Sequence, residues 1–191
     1  MKQAARSARW LSRGLASRFA RKAETMWADR RGVAAIELGI FASFLALALA
    51  NVTDASIYIY QRMQVENATE VAAQAALKTC STQLPATTNC PGLSTAMQNA
   101  LQSTSLGTSV TFVTGFPKEG YYCINASNAL QYVSDVSAKP ADCTAAGTPA
   151  LQPGDYIQVQ TSFSFQPFFP GFSIASTFAT PINRTAILRL G

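Results

Sequence analysis

The chain has 191 residues, of which 48% are hydrophobic and 13% charged, with 15 basic residues, 10 acidic residues and no histidine. That length holds one modest domain plus a membrane helix. Without histidine the commonest general base is missing, and no glycine-rich phosphate loop, GxSxG elbow or paired-carboxylate motif replaces it, so neither an enzyme nor a cofactor site is expected.

The net charge of +5 is unevenly spread. Residues 1–32 carry nine basic side chains against Glu24 and Asp29, or +7, and the remainder carries six basic against eight acidic, or −2. A basic flank ahead of the first apolar run stays on the cytoplasmic side and sends the C-terminal part across. A basic tail also suits nucleic acid, but no binding fold accompanies it, and no nucleic-acid partner is expected.

Within the leader, Ala4, Ala8, Leu11, Leu15 and Phe19 fall on one helical face, with Lys2, Arg6, Arg9 and Arg13 opposite. That pattern fits an interfacial helix on an anionic inner leaflet. Met26 is an alternative start, giving the short leader Met26 to Gly32. A mitochondrial presequence and a secretory signal cut after Ala48-Leu49-Ala50 are rival readings. Both fit poorly with a long apolar run that carries Glu37 inside it, and Arg30-Arg31 alone is too weak for a twin-arginine signal.

The run opens Arg30-Arg31-Gly32-Val33-Ala34-Ala35-Ile36-Glu37-Leu38. From Val33 to Val52 there are twenty residues, with Glu37 the one formal charge. Twenty residues at 1.5 Å each cross a hydrocarbon core of about 30 Å. An ionised carboxylate at the centre of such a helix costs about 2.5–3.5 kcal/mol, less near an end, so Glu37 asks for a partner. A cut after Gly32 would give Val33 a new α-amine. Val33 and Glu37, four residues apart, share a helix face. The carboxylate then pairs with that amine, or with the amine of a neighbouring subunit.

A basic leader, Gly32 at a cut, Glu37 as fifth mature residue and an apolar helix resemble a type IV prepilin signal. The string RRGVAAIE followed by an apolar stretch is similar to the TadE family of the Flp/Tad pilus system, from Arg30 to about Cys80 and loosely in the C-terminal strands. The resemblance implies cleavage between Gly32 and Val33 by a prepilin peptidase, and assembly with Flp/Tad pilins and inner-membrane Tad proteins. Glu37-Leu38 stands where the much shorter major Flp pilins favour Glu-Tyr. The resemblance therefore implies a minor pilin or pseudopilin rather than the main subunit.

Beyond the span, Tyr58 and Tyr60 sit where an aromatic anchor meets the outer headgroups. Strong helix formers follow from Gln61, and Val65, Ala68, Ala72 and Ala75 make a narrow stripe of mostly small residues. Packing inside the same protomer is the favoured use of that stripe. A continuous helix over Val33–Thr79 is about 70 Å long, half embedded and half stalk.

All four cysteines, Cys80, Cys90, Cys123 and Cys143, lie beyond the span. An even number on the exported side predicts two disulfides. Of three possible pairings, the local pairs Cys80–Cys90 and Cys123–Cys143 are favoured. No metal site is expected, since neither Cys-x-x-Cys spacing nor histidine offers zinc a ligand set.

Leu93, Met97, Ala100 and Leu101 suit a short amphipathic helix starting near Pro91-Gly92. Strands are expected at Ser109–Thr114, Tyr121–Ala126 and Leu130–Val133, then a loop over Ser137–Pro153. Apolar and polar residues alternate from Ile157 to Phe165, the pattern of a half-buried strand. A last strand is expected over Asn183–Leu190. Phe163, Phe165, Phe168, Phe169 and Phe172 are expected inside the core. The Asn-x-Ser/Thr sites at Asn51, Asn67, Asn125 and Asn183 arise easily by chance in so polar a sequence.

The expected organisation is therefore a basic cytoplasmic leader (1–32), a transmembrane helix (33–52), a periplasmic helical extension (53–80) and a disulfide-stabilised head (81–191). The fold class is α+β, a long N-terminal helix packed with a small antiparallel sheet. The second functional reading is an uncleaved single-pass signal-anchor protein whose head binds an envelope ligand or partner.

Overall fold

The computed structural model describes residues 30–191. The leader's amphipathic face and the alternative start at Met26 lie outside the described residues. The fold is α+β, with a long N-terminal apolar helix followed by a small five-stranded antiparallel sheet. Helix α1 runs over Arg30–Cys80 without a break, as a segment with no proline and no glycine after Gly39 allows. A short helix α2 (Ala86–Asn89) and a longer α3 (Leu93–Gln102) lead to β1 (Val110–Phe112), β2 (Lys118–Ile124) and β3 (Leu130–Asp135). After a long loop come β4 (Gly154–Phe163) and β5 (Ile182–Arg189).

The chain divides into two compact units that meet between Ala50 and Asn51. In the first, the side chains from Gly32 to Leu49 are exposed. In the second, residues 51–80 of α1 share one unit with the sheet.

Strand β4 is the centre of the sheet. Along one edge it pairs with β5 over its whole useful length, from Tyr156↔Arg189 to Phe163↔Ile182. Its other edge is divided: β1 takes residues 161–163 and β2 takes residues 154–158. Strand β3 pairs with β2 and forms that outer edge. Side chains alternate across a strand, so Ile157, Val159, Thr161 and Phe163 point inward while Gln158, Gln160 and Ser162 stay half-buried outside.

The inward row meets Val65, Ala68, Thr69, Ala72, Ala73 and Ala76 of α1, all buried. The small stripe thus packs within the protomer. Its last turns differ from the expected set: Ala75 is half-buried, and Ala73 and Ala76 take the contact instead. The buried arc is wider than a single row because the sheet covers two adjacent rows of the helix. At its middle, the Thr69 and Thr161 hydroxyls lie 2.6 Å apart, and Thr69 also donates to the Val65 carbonyl at 2.6 Å. Helix α3 closes the core with Leu93, Met97 and Leu101.

Disulfides join Cys80 to Cys90 and Cys123 to Cys143. The first lies in the main core, and the second anchors a smaller cluster with Ala146 and Val133 under the loop before β4.

Two aromatic expectations are corrected. Tyr58 is not turned out as a headgroup anchor; its ring packs on Phe165 and Phe178, and its hydroxyl donates to the Ala179 carbonyl at 3.2 Å. Tyr60 remains exposed. Of the five phenylalanines placed in the core, Phe163 and Phe165 are buried, whereas Phe168 and Phe172 are 72% and 74% exposed and Phe169 is 37% exposed. The alternation that buries Phe163 ends with β4. Pro167 and Pro170 cannot donate to a ladder, and Gly171 turns the chain with φ +83°, so the later rings follow a loop and no longer a sheet face.

Candidate functional site: the apolar helix and its exit

Gly32, Val33 and Glu37 all lie on α1. Val33 is 63% exposed, and a side chain at Gly32 would meet no heavy atom of the described residues within 4 Å. A glycine inside a helix costs about 1 kcal/mol relative to alanine, and neither close packing nor backbone conformation calls for one at Gly32. Glu37 is exposed and makes no hydrogen bond or ion pair with another described residue. Its neighbours Ile36, Leu38, Ile40 and Phe41 are exposed too, so the carboxylate stands on an apolar surface. Among the described residues, one helix is long and apolar enough to cross a membrane, and none of its most apolar window is buried.

The four cysteines occupy a separate region from these residues in the sequence, and their role is to hold the second unit. Cys80–Cys90 clamps the end of α1 to the segment entering α3. Cys123–Cys143 ties β2 to the long loop.

Sequence reasoning gave no structural role to Asn51 and Asp54, which stand where α1 leaves its apolar run. Asp54 is fully buried, and its two carboxylate oxygens accept the backbone N–H groups of Phe168 at 2.8 Å and Phe169 at 3.1 Å. Asn51 accepts the N–H of Ile174 at 2.8 Å. Together they pin the loop between β4 and β5 to the helix. The signal available in the sequence was a carboxylate next to an apolar run, but its partners lie 114 and 115 residues away.

A second unforeseen cluster sits at the other end of β4. Glu119 accepts the N–H groups of Ala86 and Thr87, each at 2.6 Å, and so holds the start of α2. Asp155 is 6% exposed, and one of its oxygens is buried without a hydrogen-bond partner. Burial raises the Asp155 pKa to about 6, with help from the Glu119 carboxylate beside it, while Lys139 opposes the shift. Tyr121 in the same groove is raised as well, chiefly by burial and then by the charges of Asp155 and Glu119. A protonated Asp155 can share its proton with Glu119 and so remove a like-charge repulsion in a confined space.

Compared with protein-family models, with curated proteins and with solved structures, the chain finds no match.

Proposed function

We propose that this chain is a minor pilin or pseudopilin of TadE type, anchored in the bacterial inner membrane. In this reading the leader faces the cytoplasm and the head the periplasm. A prepilin peptidase trims the chain after Gly32, and α1 then packs laterally with Flp/Tad pilins and inner-membrane Tad proteins, within or beneath a filament. The chain is not an enzyme; Gly32–Val33 is another enzyme's substrate.

The observation that carries the reading is Glu37, an exposed carboxylate on an apolar helical surface with no partner among the described residues. Lipid penalises such a group until a counter-charge is supplied, and trimming supplies one at Val33, one helical turn away. Gly32 adds support, because its small size answers no packing need among the described residues and suits recognition by a peptidase. Ile59, Tyr60 and Met63, all exposed on α1 beyond the span, offer an apolar face for a neighbouring subunit.

Peptide mapping of the N-terminus in membrane-extracted protein is the test. A terminus at Val33 is expected. An uncut leader would replace this reading with the signal-anchor one, and a terminus at Asn51 would replace it with secretion.

A further inference from the structure

The loop from Gln166 to Pro181 has an unusual composition for something so open to solvent. No charged residue occurs between Asp155 and Arg184. Within this stretch Phe168, Phe172 and Ile174 are 72%, 74% and 60% exposed. Exposed apolar side chains gathered on one short segment mark a surface that is covered in use.

Many of the loop's polar groups are also paired. Phe172 and Ser173 donate to the Phe169 carbonyl across the Pro170-Gly171 turn. The Ser173 hydroxyl accepts from the Ala175 N–H, and the hydroxyls of Ser176 and Thr177 donate to the carbonyls of Ser173 and Ile174. The N–H groups of Phe168, Phe169 and Ile174 are taken by Asp54 and Asn51. A segment that pairs many of its polar groups and carries no charge enters the headgroup–acyl boundary at lower cost than one whose backbone groups are unpaired.

We infer that this loop inserts Phe168, Phe172 and Ile174 into the outer leaflet of the bilayer that α1 crosses, at the headgroup–acyl boundary. The inference rests on the reading of α1 as a membrane span. What commits the surface to lipid is the site of attachment. Asn51 follows Ala50, the end of the apolar run, and Asp54 is one turn further on. The loop's attachment residues are thus among the first beyond the apolar run, which ties the loop to the point where the chain leaves the apolar layer. A second protein would need a matched orientation; the lipid surface needs only the depth. Phenylalanine and aliphatic side chains bury at that boundary on membrane-surface segments.

The test uses the full chain in phosphatidylcholine–phosphatidylglycerol vesicles, with Trp10→Phe and Trp27→Phe removing both native tryptophans. Phe172→Trp or Phe168→Trp then gives a single reporter at an exposed position that leaves the core untouched. Leu45→Trp reports on the span and Tyr132→Trp on the far edge of the sheet, both exposed sites. Bromines near the head end of a lipid acyl chain quench a tryptophan at the boundary, and acrylamide quenches one in water. The loop reporters are expected to have blue-shifted emission, to lose intensity to bromolipid as Leu45→Trp does, and to resist acrylamide, while Tyr132→Trp responds to acrylamide alone. Loop reporters open to acrylamide, with Leu45→Trp still quenched by bromolipid, overturn the inference and leave the span intact. Loop reporters shielded from both quenchers overturn it in favour of a neighbouring protein. Bromolipid quenching of Tyr132→Trp overturns it as well, because the head would then lie on the surface without a specific loop. If Leu45→Trp escapes bromolipid, the span reading itself falls and takes the inference with it.

Discussion

The Asp54 carboxylate accepts the backbone N–H of Phe168 at 2.8 Å, across 114 residues of chain, and it is fully buried while doing so. Its second oxygen takes the N–H of Phe169 at 3.1 Å. Hydrogen bonds to a charged group contribute about 1.5–3 kcal/mol, and an orphaned buried donor costs about 1–3 kcal/mol. Asp54→Ala should therefore release the loop and destabilise the second unit by about 2–3 kcal/mol. Asp54→Asn keeps one acceptor oxygen and should fall between. Chymotrypsin cleavage after Phe168 or Phe172 is the measurement, since Pro170 protects the bond after Phe169; equal cleavage rates in wild type and Asp54→Ala would refute the tie.

Thr69 and Thr161 make unequal use of one contact. Thr69 gives its only hydroxyl proton to the Val65 carbonyl, so the proton between the two threonines comes from Thr161. Thr161→Val removes a donor and leaves Thr69 bonded, at an expected cost below about 1 kcal/mol. Thr69→Val strands the Thr161 hydroxyl in the core and should cost about 1–3 kcal/mol. The double change should cost less than the two single costs combined. Urea unfolding of the four proteins checks the order, and a larger loss for Thr161→Val would refute the assigned direction.

The pH dependence has a definite sign. Asp155 titrates near 6 in the fold against an ordinary 3.8, so the folded state holds its proton more tightly than the unfolded chain does. The stability this adds is complete below about pH 4 and disappears as pH rises through about 6. Asp135 and Asp142 are shifted down, mainly by side-chain hydrogen bonds from Ser137 and Thr144, and their contributions are lost only as pH falls below about 4. The second unit should thus be more stable at about pH 5 than at about pH 7. Asp155→Asn should stabilise it at neutral pH and flatten the difference. Urea midpoints at both pH values for the two proteins decide, and an unchanged slope in the variant would exclude Asp155 as the cause.

The two disulfides should have separable effects. Their sequence separations of 10 and 20 residues correspond to about 3 kcal/mol each by loop closure. Changing Cys80 and Cys90 together to alanine should lower the stability of the whole unit, because both sit in the main core. Changing Cys123 and Cys143 should first expose the loop before β4 to proteases, since among the described residues only Ala146 and Val133 share their hydrophobic cluster. Melting and proteolysis of the two variants separate the cases.

For the proposed assembly role, Gly32→Phe should block trimming without moving the melting of the head, as no described residue comes within 4 Å of a side chain at that position. Glu37→Ala should still enter the membrane but assemble poorly. Normal piliation with Glu37→Ala would count against the carboxylate's role.

Much of the architecture was legible because it follows from period. Leu93, Met97 and Leu101 announce α3 by their spacing, and Ile157 to Phe163 announce β4 by strict alternation. The stripe on α1 was visible too, although covering by a sheet broadened it beyond what a single helical row predicts. The phenylalanines after Phe165 were misplaced because composition alone cannot tell where an alternating pattern stops governing direction. Asn51 and Asp54 could not be found from local sequence, since a side chain holding distant backbone N–H groups leaves no trace in spacing. The pairing of Asp155 with Glu119 was hidden for the same reason: it is created by the β2–β4 register, which sets Glu119 opposite Ile157.

Helix residues 51–80 are held to the rest of their unit at the beginning by Asp54, in the middle by Thr69 and at the end by Cys80. A pull along this stretch loads those three attachments side by side, as a row of rivets takes shear, instead of peeling them one after another. Force delivered through the helix therefore moves the sheet with it as one lever.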